Sequence, residues 1–441
     1  MDHKEPRPVV ILAFAGSNPV SHPAGQGPFR GPLIFFPGRL RAICATLVAV
    51  SHIGDKAPPP HEIAAQDTHA ELVRGQPKDD YYRTNLRRMR MTALRTLDLF
   101  AGAGGLSLGF DRANLGFEST SAIEIDAAAA RTFKRNFGCP VYDGPIEDID
   151  VFDEADVIIG GPPCQGFSPL GRDRDTKSRA QLNNLWQQYF RAVRQLEPRA
   201  FVIENVPEFQ KSAQFARLLT LMKNDRALKH YGIGYGVLST ADYGVPQRRR
   251  RGIFVAIRGH DGNLPWPPPP THGPDSPEKR PHRTVREAIG GLPLYPSGIE
   301  ITTGRRGQDL HIGRTPRPSS FDRYLAIPEG GNRFDLAKNR PDLLPRCWAE
   351  KPTGTTDVMG RLWWDRPSTT IRTEFFKPEK GRFLHPEAHR PITHREAARL
   401  QTFPDDFEFE GSKIEIARQI GNAVPPDFAT ELAKYVHRLL S

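Results

Sequence analysis

Four cysteines in 441 residues, none of them in a C-x-x-C pair, are too few and too scattered for a disulfide framework or a zinc module. Cys44, Cys139, Cys164 and Cys347 therefore fit a chain kept in a reducing compartment, with no metal site expected. Long apolar runs are missing as well. The longest candidate, ICATLVAV from Ile43 to Val50, falls short of the roughly 18 apolar residues of a membrane span, so a soluble protein with no membrane partner is expected. There is no acidic excess: 61 Lys and Arg against 51 Asp and Glu give a formal charge of +10 and a pI near 9.5. Such basicity permits a polyanionic partner without demonstrating one, because ordinary enzymes reach it too. Proline and glycine are plentiful instead, at 42 and 39 residues, which predicts long irregular segments between packed parts. At about 150 residues per domain the length suggests two or three domains.

Residues 1–90 combine scattered Pro and Gly (SNPVSHPAGQGPFRGP, then APPP) with short apolar bursts of no sustained period, and read as a weakly ordered N-terminal extension. Met89 and Met91 stand directly before the first strong strand signal, so a natural start there is the alternative. From RTLDLF (95–100) onward the texture is α/β: strands over 117–126, 155–161, 200–206, 234–239 and 252–257 alternate with helical segments after Gly105, after Asp126, around 185–196 and over 215–224. Alternation of this kind predicts one doubly wound, mostly parallel, Rossmann-like sheet over 91–258. It stops after Arg258, where PWPPPPTHGPDSPEKRPHR (265–283) opens a smaller irregular region, 259–360. Helical texture returns in THREAARLQ (393–401) and PPDFATELAKYVHRLL (425–440), so the segment 361–441 is expected to rejoin the large domain.

Three strand ends carry candidate chemistry. Asp98-Leu-Phe-Ala-Gly-Ala-Gly-Gly105 joins a strand to a helix, where glycines let the backbone approach a ligand and helix amides face it; Ser107 stands where the strict dinucleotide fingerprint has its last glycine. Glu124, 19 positions after Gly105 at the end of the next strand, can accept both hydroxyls of a ribose. A glycine turn is merely structural about as often as not, and a strand-end glutamate is commonly solvated; together the two indicate a nucleoside cofactor without saying which. Cys164, in GGPPCQGFS (160–168), lies just past the carboxyl end of a strand, where open α/β sheets place ligands. Prolines stiffen the approach to the sulfur while Gly166 and Gly171 free the chain beyond it, as suits a fixed nucleophile followed by a mobile lid. Glu204, in ENV, ends the next strand and should point into the same crevice. In QRRRR (247–251), alternate arginines on a strand share a side, so Arg249 and Arg251 are expected on one face.

DLFAGAGG, GGPPCQGFS, ENV, QRRRR and QIGNAVPP (419–426), in this order, resemble the successive signature blocks of the C5-cytosine DNA methyltransferase family, over roughly 95–258 and 362–440. The resemblance implies S-adenosylmethionine as cofactor, a cytosine flipped out of double-stranded DNA as substrate, and a variable target-recognition region between QRRRR and GNAVPP. It implies that Cys164 is the thiolate adding to carbon 6, Glu204 the acid at N3 and Arg249 a group that orients the base. For the cofactor it implies Phe100, Gly102, Gly104, Gly105 and Leu106 around the turn, Glu124 on the ribose, Ile125 on the adenine, and Ile146, Pro162, Asn422 and Ala423 along the same cleft. One departure is visible. Where the family often has Asp-Ile against the adenine, this chain reads Asp143-Gly-Pro-Ile146, with Pro145 in place of the carboxylate. SPLGRDRDTKSRAQLNN (168–184) is the natural lid.

The resemblance also implies a monomer in the bacterial cytoplasm, associated with the nucleoid, with a cognate restriction endonuclease acting separately as a compatible partner. A tRNA cytosine-C5 methyltransferase shares these blocks; the length of the region 258–360, with 15 Lys and Arg against 12 Asp and Glu, favours DNA. A nicotinamide oxidoreductase would leave Cys164, Glu204 and Asn422 unexplained. A binding module without chemistry would have no need of nucleophile and acid together, and amino-methylating enzymes lack a Cys after the prolines.

Overall fold

The computed structural model describes residues 93–163, 176–296, 298–304, 307–350, 353 and 355–441, with backbone alone for 176–184. The expected N-terminal extension lies outside the described residues. Strand β1 (Leu94–Leu99) leads through the glycine turn into helix α1 (Gly105–Arg112), then β2 (Phe117–Ile123), α2 (Ala127–Phe137), the short β3 (Val141–Tyr142) and β4 (Val157–Gly160). Helix α3 (Thr176–Leu196), β5 (Ala200–Asn205), α4 (Ala213–Asn224), β6 (Tyr231–Ser239) and β7 (Arg250–Arg258) complete a seven-stranded sheet in the order β3-β2-β1-β4-β5-β7-β6. All pairs are parallel except those made by β7, which runs antiparallel to both β5 and β6. The doubly wound, mostly parallel sheet expected from the alternation is thus present.

The strand sequences explain the layering. Every residue of β4 (VIIG) and β5 (AFVIEN) is buried, as befits central strands covered on both faces, and both read as continuous rather than alternating apolar runs. One face of the sheet packs with α1 and the last helix around Phe110, Val157, Val202 and Val255. The other packs with α3 and α4 around Leu97, Ile158, Phe201 and Phe254. Strand order reverses between β1 and β4, so a crevice opens outside their carboxyl ends, and the loops after β1, β2, β4 and β5 all leave on that edge.

The irregular region contains helices α5 (Val285–Ile289), α6 (Pro318–Ala326), α7 (Arg333–Asn339) and α8 (Arg346–Ala349), with three-residue strands β8 (Thr302–Gly304) and β9 (Gly307–Asp309). A small core of its own gathers Tyr324, Ile327, Leu336, Met359 and Leu384. Strands β10 (Gly360–Arg361) and β11 (Arg382–Leu384) lead to α9 (His394–Leu400), α10 (Lys413–Asn422) and α11 (Pro426–Leu440). Helix α11 crosses α1 so closely that a Cβ on Gly109 would lie 2.3 Å from that of Ala429. A further buried cluster joins Ala103 of the glycine turn to Val285, Leu310, Phe403 and Ile420.

Candidate active site

The turn after β1 is built by backbone conformation. Phe100 and Gly102 both take positive φ, at 62° and 58°, a conformation that costs a phenylalanine about 1–3 kcal/mol unless its surroundings hold it there. A Cβ on Gly102 would meet nothing within 4 Å, so this glycine faces open space. Its N–H donates to Glu124 Oε2 at 2.8 Å, and the Asp126 N–H donates to Oε1 at the same distance. Two main-chain amides thus fix the Glu124 carboxylate at the crevice edge, with lone pairs left for further donors. Burial raises its pKa above the ordinary value for glutamate despite these amides. Ile125, next along, is 69% exposed, an apolar side chain offered to whatever fills the crevice.

The other expected cofactor residues divide by what they touch. Pro162 continues the β4 edge, its carbonyl accepting from Asn205 Nδ2 at 3.0 Å, and Asn422 is exposed at the end of α10. Ala423 is buried against the same cluster as Ala103. Gly104 and Gly105 are glycines for packing: Cβ atoms there would lie 2.4 Å from Phe137 and 2.2 Å from the Val424 carbonyl oxygen. Leu106 and Ile146 have their side chains in the two cores flanking the sheet, so only their main chain can meet a ligand. Pro145 precedes the short 3-10 turn Ile146–Asp148 and is exposed, as is Asp143.

At the end of β5, Glu204 is almost fully buried and its Oε1 lies 2.6 Å from Arg251 Nε. Both side chains are largely shielded, at 11% and 14% exposure, so the pair is screened less than a surface ion pair. The backbone of Gly161 lies alongside: a Cβ there would stand 3.1 Å from Glu204 Oε2. The first residues past β4 are therefore in contact with the acid at the end of β5.

The arginine expected beside the base was Arg249, and here the reading needs correction. Arg249 is 2% exposed and its guanidinium donates to the carbonyl oxygens of Ile371, Gly421 and Asn422 at 3.1, 3.0 and 3.2 Å. It ties the β7 approach to α10, and Arg251 takes the place beside Glu204. The register gives the reason: Glu204 pairs with Ile253, so Arg251, two residues earlier, shares its face, whereas the strand begins only at Arg250 and Arg249 lies beyond it. Gln247 makes a second tie: its Oε1 accepts from the Ile371 N–H and its Nε2 donates to Gln401 Oε1, at 2.8 and 2.7 Å.

Sequence reasoning also passed over Asp98, quoted only as the start of the glycine block. It is buried beneath the turn, accepts from the Ser107 hydroxyl at 2.7 Å, and burial pushes its pKa up to about 8. Its position as a charged residue inside an apolar strand was the available signal. Cys164 and residues 165–175, which include the first part of the expected lid (168–184), lie outside the described residues; the rest of that lid, from Thr176, begins helix α3. Among the described residues no cluster of metal ligands occurs, and no helix is long and apolar enough to cross a membrane.

Comparison with known proteins decides the family. A model of the C-5 cytosine-specific DNA methylase family matches residues 94–438. The chain belongs to that family. It is 35% identical over 356 residues to the type II methyltransferase M.NgoFVII of Neisseria gonorrhoeae, covering 79% of this chain and 87% of that one. Type II methyltransferase M1.HphI of Haemophilus parahaemolyticus is 32% identical with the same coverage. Among solved structures, a DNA modification methyltransferase encoded within an Escherichia coli prophage superposes with a TM-score of 0.59 and 26% identity, over 79% of this chain and 99% of its own. The Dnmt2 methyltransferase of S. pombe, at 0.54 and 18%, shares the fold.

Proposed function

We propose that this C-5 cytosine methyltransferase acts on a cytosine flipped out of double-stranded DNA at a specific sequence, through a covalent bond from Cys164 to carbon 6. The observation that carries the reading is the Glu204–Arg251 pair set against Gly161 on the same sheet edge as the cofactor turn. Carbon 5 of cytosine is a poor nucleophile. Thiolate addition at carbon 6, with a proton passing from Glu204 to N3, places the ring electrons on carbon 5. Arg251 holds the Glu204 carboxyl in place and is positioned to steady the base beside it. After carbon 5 takes the methyl group, loss of its proton and expulsion of the thiolate restore the double bond.

S-adenosylmethionine, the cofactor that fits this edge, supplies an electrophilic methyl group when bound. Glu124, fixed by two amides, would accept its ribose hydroxyls; Ile125 would cover the adenine; Phe100, Gly102, Pro162 and Asn422 would line its path. Ribose recognition by a fixed carboxylate matches the donor set, whereas Pro145 offers the adenine amino group no side-chain acceptor. We assign residues 259–360 to reading the DNA sequence, 91–258 and 361–441 to catalysis, and residues 1–90 to an extension outside both. The curated relatives are named type II methyltransferases, which favours DNA over tRNA and a bacterial setting in which a separate restriction endonuclease attacks the same site. A monomer suffices for this chemistry.

The test is a duplex library carrying 5-fluorocytosine, whose fluorine blocks the proton loss that frees the enzyme. The whole chain should form an adduct that survives denaturing electrophoresis, and Cys164→Ala should form none. Methylation persisting in the alanine variant would overturn the assignment.

A further inference from the structure

Once Ile125 is given to the cofactor, the two most exposed large apolar side chains among the described residues are Val151 and Ile414, at 75% and 67%. They lie on patches of opposite charge. Val151 stands in EDIDVFDE (147–154), which carries five carboxylates and no cation on a chain of net charge +10. All five acids are exposed, and among the described residues only Glu154 has an ion pair, with Arg95. The loop is held from beneath. Arg191 donates to the carbonyls of Ile146 and Ile149, its guanidinium lies 4.7 Å from the centroid of the buried Phe152 ring, and the Phe152 N–H donates to Gln195 Oε1 at 3.4 Å. With Phe152 turned inward and the main chain pinned on both sides, Val151 cannot fold its methyl groups away from water.

Ile414 belongs to the other patch. It lines a cavity of about 770 Å³ whose remaining apolar wall is Ile299, Ile312, Phe376, Pro391 and Ile392, a volume of the order that encloses a drug-sized molecule. Ile299 is 53% exposed in the same wall. The start of α10 is fixed, because Ser412 and Glu415 form a reciprocal capping box and the Lys413 carbonyl accepts from His394 Nε2 at 2.9 Å. Ile414, in the first turn, is thus held outward. The rim is cationic: Arg314, Lys377, Lys380 and Lys413 stand against Glu300, Glu374 and Glu379, four charges to three. Arg314 has no carboxylate within ion-pair range among the described residues, and only its Nη1 is engaged, donating to the Phe376 carbonyl at 2.8 Å.

We propose that this cavity receives the Val151 loop of a second copy of the chain, joining copies head to tail with the acidic collar of the loop against the cationic rim. Exposed apolar patches rimmed by polar residues mark association sites, and the sign of each rim selects the occupant. Loop and cavity are different surfaces of one chain, so the contact is heterologous: every copy in a row still offers one free loop or one free cavity at its end, and assembly grows with concentration instead of closing at a pair. Both surfaces are fixed before contact, so little ordering is lost when they meet. None of Val151, Ile299 and Ile414 is a residue of the crevice, and each copy remains a complete catalyst.

Sedimentation equilibrium of the full chain is the assay. The weight-average mass should rise above 49.4 kDa with protein concentration at low salt and fall back as salt screens the rim. Val151→Lys, and separately Ile299→Gln combined with Ile414→Gln, should each weaken association by about tenfold or more, with the thermal midpoint and methyl transfer unchanged because the replaced side chains are exposed. Mixing the two variants tests the direction of the contact. The first keeps its cavity and the second its loop, so together they should form a one-to-one pair and nothing larger. A chain that keeps the mass of one copy up to about 0.1 mM would overturn the proposal, as would association that neither variant weakens. A dimer that both variants weaken and mixing does not restore would mean that like face meets like face, and the head-to-tail contact would fall. Single copies that bind anilinonaphthalene sulfonate, with its fluorescence lost in the isoleucine double variant, would give the cavity to a small amphiphilic anion and equally overturn the self-contact.

Discussion

Arg249 and Arg251 stand two residues apart in one basic block, and exchanging each for methionine should separate scaffold from chemistry. Arg249→Met deletes three charge-assisted hydrogen bonds and leaves the carbonyls of Ile371, Gly421 and Asn422 unpaired in a site that is 2% exposed. At about 1–3 kcal/mol per orphaned group, offset by no longer burying a guanidinium, the net loss should be about 3–5 kcal/mol. At roughly 2–4 °C per kcal/mol for domains of this order, the midpoint of thermal unfolding should fall by on the order of 10 °C. Because two of the carbonyls belong to the Gly421–Asn422 corner, affinity for S-adenosylmethionine should fall with it.

Arg251→Met should behave differently. The methionine keeps much of the aliphatic volume, and the crevice edge can hydrate the vacated carboxylate, so the midpoint should move by only a few degrees. Turnover should drop by on the order of 10²–10³, the usual cost of removing one preorganised donor from a reacting centre. Differential scanning calorimetry and a tritiated-methyl transfer assay read the two quantities. The reasoning is refuted if Arg249→Met is as stable as the unsubstituted chain, or if Arg251→Met turns over normally.

Asp98 gives a pH dependence. Its folded pKa of about 8 lies above its unfolded value, so the native state holds a proton that the unfolded chain releases, and stability should decline as pH rises from about 4 through 8. Asp98→Asn, which keeps an acceptor for Ser107, should flatten that decline in denaturant titrations; an unchanged profile would count against a protonated Asp98. Gly161→Ala puts a methyl 3.1 Å from Glu204 Oε2, so the carboxylate must shift by a few tenths of an ångström, and turnover should fall about tenfold at unchanged cofactor affinity. A chain starting at Met91 should methylate DNA as the full chain does, since the family match begins at residue 94; loss of cofactor binding on truncation would show otherwise.

The sheet was legible in the sequence because its strands obey a local rule. Apolar runs such as ADVIIGG and AFVIENV are what a doubly covered parallel strand demands, and Gly161 at the end of the first lies against Glu204 near the end of the second. Glu124 and Glu204 were readable only in combination, Glu124 with the glycine turn and Glu204 with Cys164, since a strand-end glutamate alone is commonly solvated. The helices beyond Arg258 were less legible, although four carried a short-range signal. Thr284-x-x-Glu287, Asn332-x-x-Asp335, Thr393-x-x-Glu396 and Ser412-x-x-Glu415 all form reciprocal capping boxes, and only the third was read as a helix. Arg361 and Arg382 were beyond local reasoning altogether. Each is buried with its guanidinium on main-chain carbonyls, Arg361 on those of Tyr324, Ile327, His385 and Ala388, contacts that exist only once the loops have closed. Desolvation lowers the Arg361 pKa to about 10, so it still enters that core as a cation.

The basic block resolves into separate tasks through the geometry of one strand start. Inside β7 the side-chain period is two, which puts Arg251 on the face of Glu204. Before Gly252 the pairing with β5 ends, the Arg249 carbonyl still accepts from the Thr240 N–H, and the backbone of Arg248 is tied to Ser368 and Thr370. Arg249 then turns inward onto three carbonyls while Arg248 is exposed. A run of like charges is usually a solvated face, and this one is not, because the strand boundary falls inside it. Spacing matters more here than charge: Arg251 reaches Glu204 only because the pairing of β5 with β7 puts Glu204 opposite Ile253, two residues from Arg251. A shift of that pairing by one residue would turn Arg251 to the other face of the sheet, with the run of five residues unaltered.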